Sequence, residues 1–176
     1  ARLRACTMAS RVTASLAAGA CAITGGLGGL GLRAAAMLVQ IGASGIALSS
    51  RSGRVGGRAI DAAKGALMRI AACDVGDAAD AFALLACAAS ASVLHAAGVL
   101  HDKMLRSMAT GDFHAVFAPK ALGASHVQTI VMRTPLEAFG LFSSVASTFG
   151  NVGQANYAGA NAYLDALARS WRCHGA

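Results

Sequence analysis

The sequence predicts an α/β fold: a doubly wound parallel sheet with helices on both faces. Three observations predict it. Short apolar runs alternate with longer runs of helical period. Glycine-rich or small-residue turns close successive apolar runs. The 176 residues are 56% hydrophobic and 13% charged, enough apolar material for one buried core and too little charge for a disordered chain.

Taken in order, residues 1–15 are unassigned, and the domain is expected to occupy 16–176. Ala20–Thr24 reads as a short buried strand leading into a glycine turn. Gly29–Gln40 reads as a helix, apolar at Leu30, Ala34, Met37 and Leu38. Ile46–Ser50 is a second strand. A weak helix over Gly57–Ala66 precedes a third strand, Leu67–Cys73. Asp77–Ala88 is helical and Ser92–His95 is a fourth strand. A longer helical stretch runs from Phe113 to Met132, and Pro135 stops it. Leu141–Ser143 ends a fifth strand, and Asn156–Arg172 is the last helix.

Composition narrows the function. Fifteen Lys plus Arg against eight Asp plus Glu give a net charge of +7. The basic residues are dispersed and aromatics are only 5%, which argues against nucleic acid and leaves an anionic ligand as the better partner. The charge-free stretches Val12–Leu32 and Ala138–Leu164 are interrupted by glycines and amides, so neither is a bilayer span. Five cysteines without a Cys-x-x-Cys pair read as reduced thiols, several of them in the core, and no metal site is expected. A cytoplasmic location follows, with an organellar address in the Arg-bearing N-terminal segment left open.

Five constellations carry chemistry. Thr24-Gly25-Gly26-Leu27-Gly28-Gly29-Leu30-Gly31 lies between a strand and a helix, the context of a dinucleotide-binding loop. Its glycines permit a tight turn, and the helix N-terminus favours a pyrophosphate. Ser50 and Arg51 end the second strand, and no acid occurs between Leu32 and Ile60. Arg51 thus reads as a ligand for a 2′-phosphate rather than a free ribose. Asp74 and Val75 follow the third strand; the carboxylate could accept from an adenine amino group or cap its own loop. His95-Ala96-Ala97-Gly98 ends the fourth strand, where small residues let backbone lie against a flat ring and His95 reads as a structural side chain. Finally, Tyr157 and Asn161 share a helix face. With Ser144 and Lys120 they offer a hydroxyl acid, a hydrogen-bonding hydroxyl and a cation.

These motifs occur in one order with Phe142-Ser143-Ser144 and Gly153-Gln154-Ala155-Asn156-Tyr157, and the sequence between Ala20 and Arg172 resembles the ketoreductase domain of modular polyketide synthases and related fatty acid synthases. These belong to the short-chain dehydrogenase/reductase superfamily, with its Rossmann-like fold. The resemblance implies NADPH-dependent reduction of a β-ketoacyl thioester carried by an acyl carrier protein, within a multidomain synthase. It implies Tyr157 as proton donor, Ser144 as the carbonyl-binding hydroxyl, Lys120 as the cation and Asn161 as the asparagine. Asn161 stands four after the tyrosine, where most of the superfamily has lysine; Lys120 precedes both, as in polyketide synthase ketoreductases. Leu100-His101-Asp102 keeps part of the family's Leu-Asp-Asp signature. The resemblance also implies a chain truncated at its C-terminus, lacking the family's lid and final strands. A second expectation is a catalytically inactive nucleotide-binding or scaffold remnant of such a synthase.

Overall fold

The computed structural model describes residues 19–55, 67–88, 90–133 and 136–173. The expectations for residues 1–15, for Gly57–Ala66 and for Pro135 fall outside the described residues.

Among the described residues, five strands are interspersed with helices: β1 (Ala20–Thr24), α1 (Gly29–Gln40), β2 (Gly45–Ser50), β3 (Leu67–Ala72), α2 (Ala78–Ala88), β4 (Ser92–His95), α3 (Thr110–Phe117), α4 (Gly123–Val131), β5 (Ala138–Leu141), α5 (Ala146–Phe149) and α6 (Ala155–Cys173). The sheet order is β3-β2-β1-β4-β5, and every neighbouring pair is parallel. This is a Rossmann-like, doubly wound sheet. The chain leaves β1 in one direction through β2 and β3, then returns to the other side of β1 as β4. A crevice opens at that reversal, above the carboxyl ends of β1 and β4.

The strand period of two divides the core between the faces. Cys21, Ile23, Ile46 and Leu48 pack with Ala35 and Leu38 of α1. Ala22, Ala47 and Val93 face the other way, against Ala81 and Leu84 of α2 and Val127 and Val131 of α4. Leu164 and Leu167 of α6 join Ala124 in a smaller cluster beside Leu141. Burial pushes the Cys21 thiol up to about 12, so it behaves as a core hydrophobe.

The long helix expected over Phe113–Met132 starts earlier, at Thr110, and is not continuous. Asp112 Oδ2 accepts the Ala109 N–H at 2.7 Å, which caps the start. Residues Ala118–Leu122 form a π-turn between α3 and α4. Pro119 lies inside it, and a proline there has no N–H to donate and crowds the preceding turn. The backbone widens instead of breaking. At the fifth strand, pairing stops at Leu141, and Ser143 lies beyond it.

Candidate active site

The crevice is a cleft of about 360 Å³. Its walls are the loop after β1 (Gly25, Gly28, Gly29, Leu30, Gly31), the end of β2 (Ser50, Arg51), the turn after β3 (Asp74, Val75) and the segment after β4 (Ala96, Ala97, Gly98). Ser49, Cys73, Val99 and Pro119 complete the lining and were not anticipated from the sequence.

Glycine is needed here for contact as much as for conformation. Gly25 has φ +66°, and a Cβ on it would stand 2.6 Å from the Ala97 Cα. The two loops therefore meet backbone to backbone. A Cβ on Gly31 would stand 2.5 Å from the Gly26 Cα, so α1 starts directly against the loop. The first turn of α1 carries no acid, and no side chain caps it at Gly28. The cradle, the bare helix N-terminus and the guanidinium at the rim fit the phosphates of a dinucleotide.

Thr24, Gly26, Leu27 and His95 do not line this cleft. Thr24 and His95 are fully buried beneath it. Thr24 Oγ1 and His95 Nδ1 are 2.7 Å apart, and His95 Nε2 lies 2.9 Å from the Lys120 carbonyl oxygen. That carbonyl can only accept, so Nε2 carries the proton and Nδ1 accepts from the Thr24 hydroxyl. Burial lowers His95 from the usual 6.5 to about 4, so the ring is neutral at pH 7. Of the two roles the sequence left open for Asp74, the capping contact is present: Oδ1 accepts the Gly76 N–H at 3.0 Å.

Lys120 joins the cleft to the second cluster. A Cβ on Gly98, in the cleft wall, would stand 3.4 Å from its Nζ. The same Nζ donates to the Phe142 carbonyl at 2.9 Å and lies 5.5 Å from the Tyr157 ring centroid. Desolvation lowers Lys120 to about 8. Asn161 is fully buried; its Nδ2 donates to the Tyr157 carbonyl at 2.8 Å, and its Oδ1 is buried without a partner among the described residues. Its own carbonyl accepts from Ser143 Oγ at 3.3 Å. Ser144, half-buried on the turn after β5, accepts the Ala146 N–H at 3.2 Å, which fixes its hydroxyl at the start of α5.

The first turn of α6 is tied down by a residue the sequence reading passed over. Asn156 is fully buried; its Nδ2 donates to the His101 and Asp112 carbonyls at 3.0 Å each, and its Oδ1 accepts the Tyr157 N–H at 2.8 Å. Gln154 Nε2 donates to Asp102 at 3.0 Å. Asp112 accepts from Lys103 at 2.7 Å, and that ammonium and the Ala109 N–H hold its carboxyl well below the usual range. Uncharged amides in a charge-free stretch were the available signal, because a buried amide must find partners.

Among the described residues no group of His, Cys, Asp and Glu could hold a metal ion, and no helix is long and apolar enough to cross a membrane.

Residues 19–176 match the family described as KR domain. The chain is 41% identical over 155 residues to polyketide synthase GfsA of Streptomyces halstedii, a match covering 83% of this chain and 2% of that protein. It is 38% identical over 170 residues to erythronolide synthase EryA3 of Saccharopolyspora erythraea, covering 90% and 5%. Among solved structures it is similar to A-type ketoreductases from a modular polyketide synthase, at 39% identity and TM-score 0.83, over 89% of this chain and 35% of that one. The first ketoreductase of the tylosin synthase gives 38% identity and the same TM-score, over 89% and 36%. The chain thus spans a small part of these synthases.

Proposed function

This chain belongs to the KR-domain family of polyketide synthases, in the short-chain dehydrogenase/reductase superfamily, and from that premise we propose that it reduces a β-ketoacyl thioester, carried by an acyl carrier protein, to the β-hydroxyacyl thioester with NADPH. Domains of this family are oxidoreductases that use a nicotinamide cofactor. The domain itself is assigned to residues 16–176, and its partners are the carrier protein and the other domains of a synthase.

One observation carries the reading. Lys120 reaches the cleft wall at Gly98 and the Tyr157 ring from one buried position. A dinucleotide in the cleft and a phenol beside it thus share a single cation. Thr24 to Gly31, Ser50, Arg51, Asp74, Val75 and His95 to Gly98 form or support the cofactor half. Arg51 recognises the 2′-phosphate. When bound, the reduced nicotinamide supplies the hydride for the ketone carbon. Tyr157 donates its proton to the carbonyl oxygen as that oxygen gains charge. The Ser144 hydroxyl donates a hydrogen bond to the same oxygen. Lys120 stabilises the phenolate left on Tyr157, and the unpartnered Asn161 Oδ1 is the acceptor for a water that returns the proton.

The alternative, an inactive remnant, is not favoured: all four residues of the constellation are present, and Lys120 stands beside the Tyr157 ring. NADPH consumption with a β-ketoacyl thioester of the carrier arm tests the reading. Product β-hydroxyacyl thioester is expected; a folded chain that binds NADPH and gives none would overturn it.

A further inference from the structure

His95 moves no proton in the reaction above and does not line the cleft, yet it is the largest polar side chain completely buried beneath it. Its two ring nitrogens face two different parts of the site. Nδ1 meets the hydroxyl of Thr24, the last residue of β1 before the glycine loop. Nε2 meets the carbonyl of Lys120, in the middle of the π-turn. That carbonyl already accepts from the Gly123 N–H, which it shares with Ala118. Gly123 closes the arrangement: a Cβ there would stand 3.1 Å from His95 Cε1 and 2.9 Å from a Val75 methyl, so α4 begins flush against the ring.

We propose that His95 is a positioning residue that holds Lys120 in the site, by clamping the π-turn that carries Lys120 to the strand that opens the phosphate loop. The inference rests on the reading of Lys120 as the cation of the reaction. A π-turn spaces its hydrogen bonds one residue wider than an α-turn and is less stable unless something fills it. The imidazole supplies the Lys120 carbonyl with a second donor, beside the Gly123 N–H that this carbonyl shares with Ala118. Without that donor the turn is free to relax toward regular helix, which rotates Lys120 away from the Phe142 carbonyl and the Tyr157 ring. The coupling also runs from the cofactor side, since Thr24 fixes the ring that fixes the turn.

The test separates the two nitrogens. A glutamine side chain places its amide donor near Nε2, whereas asparagine reproduces only the Nδ1 position. Nitrogen NMR of histidine in the wild-type chain is expected to find His95 neutral and protonated on Nε2; protonation on Nδ1 alone would overturn the proposal, because that ring cannot donate to Lys120. Nitrogen NMR of lysine is expected to find Lys120 titrating near 8 in the wild type and in His95→Gln, and more than one pH unit higher in His95→Asn, toward the value of about 10.4 for a solvated lysine. An unmoved Lys120 in folded His95→Asn would also overturn it. Turnover should fall about tenfold or more in His95→Asn and stay within about threefold in His95→Gln. Equal loss in both variants, with Lys120 unmoved, means a purely structural histidine. If His95→Asn does not fold, the wild-type tautomer decides. A wild type without any turnover would sink the proposed reaction and leave both NMR measurements standing.

Discussion

The ammonium nitrogen of Lys120 sits 5.5 Å from the centre of the Tyr157 ring, and its nearest hydrogen-bond partner is the backbone carbonyl of Phe142 at 2.9 Å. The cation is therefore held by main chain, with the phenol ring beside it. Burial lowers this lysine to about 8, so the ammonium still predominates at pH 7 and gives up its proton more readily than a solvated lysine.

That arrangement predicts the behaviour of the phenol variant. Tyr157→Phe keeps the ring that Lys120 packs on and removes only the hydroxyl. Turnover should fall by about 10²–10⁴-fold, the usual worth of a general acid, with NADPH affinity nearly unchanged. Steady-state rates and a fluorescence titration of NADPH check it; a variant retaining more than about a tenth of the rate contradicts the acid role.

The proposed preference for NADPH turns on Arg51. It is exposed at the cleft rim, at the end of β2. NADPH should bind more tightly than NADH, and Arg51→Ala should erase roughly tenfold or more of that preference, the worth of a hydrogen bond to a charged group. Dissociation constants for both cofactors, before and after substitution, decide it; an unchanged ratio is the failing result.

Two glycines in the first turn of α1 should respond oppositely to the same methyl group. At Gly31 a Cβ meets backbone at 2.5 Å, so Gly31→Ala must push α1 off the loop, at about 1–3 kcal/mol or more. At Gly29 a Cβ meets nothing within 4 Å, and Gly29→Ala should leave stability equal or raise it by about 0.4–1 kcal/mol. Denaturant unfolding of both variants is the check. A Gly31→Ala variant as stable as Gly29→Ala would mean that the loop yields.

His95 makes stability depend on pH. Its folded pKa, about 4, lies below the unfolded value of about 6.5. The unfolded chain therefore binds a proton first, and stability is greatest above 6.5 and declines as pH falls from there toward 4. The loss is on the order of 3 kcal/mol across that window. Unfolding free energies between pH 7 and pH 5 should show the slope in the wild type and a shallower one in His95→Gln. Equal slopes would place the titrating group elsewhere.

Much of the fold was legible because it rests on local signals. β1, α1 and β4 begin and end where the apolar runs and glycines predict. The π-turn was not legible. Pro119 stands in a sequence otherwise helical in period, and whether a proline breaks, kinks or widens a helix depends on what surrounds it. Strand β5 could be located only at its end, since the expectation reached Ser143 while pairing with β4 stops at Leu141. In the site, the glycine loop and Arg51 could be placed at the carboxyl edge of the sheet from position alone, and they line the cleft there. Asn156 was not, because its partners lie 44 and 55 residues away and only the folded chain brings them together.

The π-turn at Ala118–Leu122 has a consequence for how this segment tolerates change in length. Such a turn is an α-helix with one residue too many. Deleting a single residue there would let α3 run into α4 without interruption and would turn everything beyond it by about 100°. The shortened helix would gain regularity while Lys120 swung off its mark.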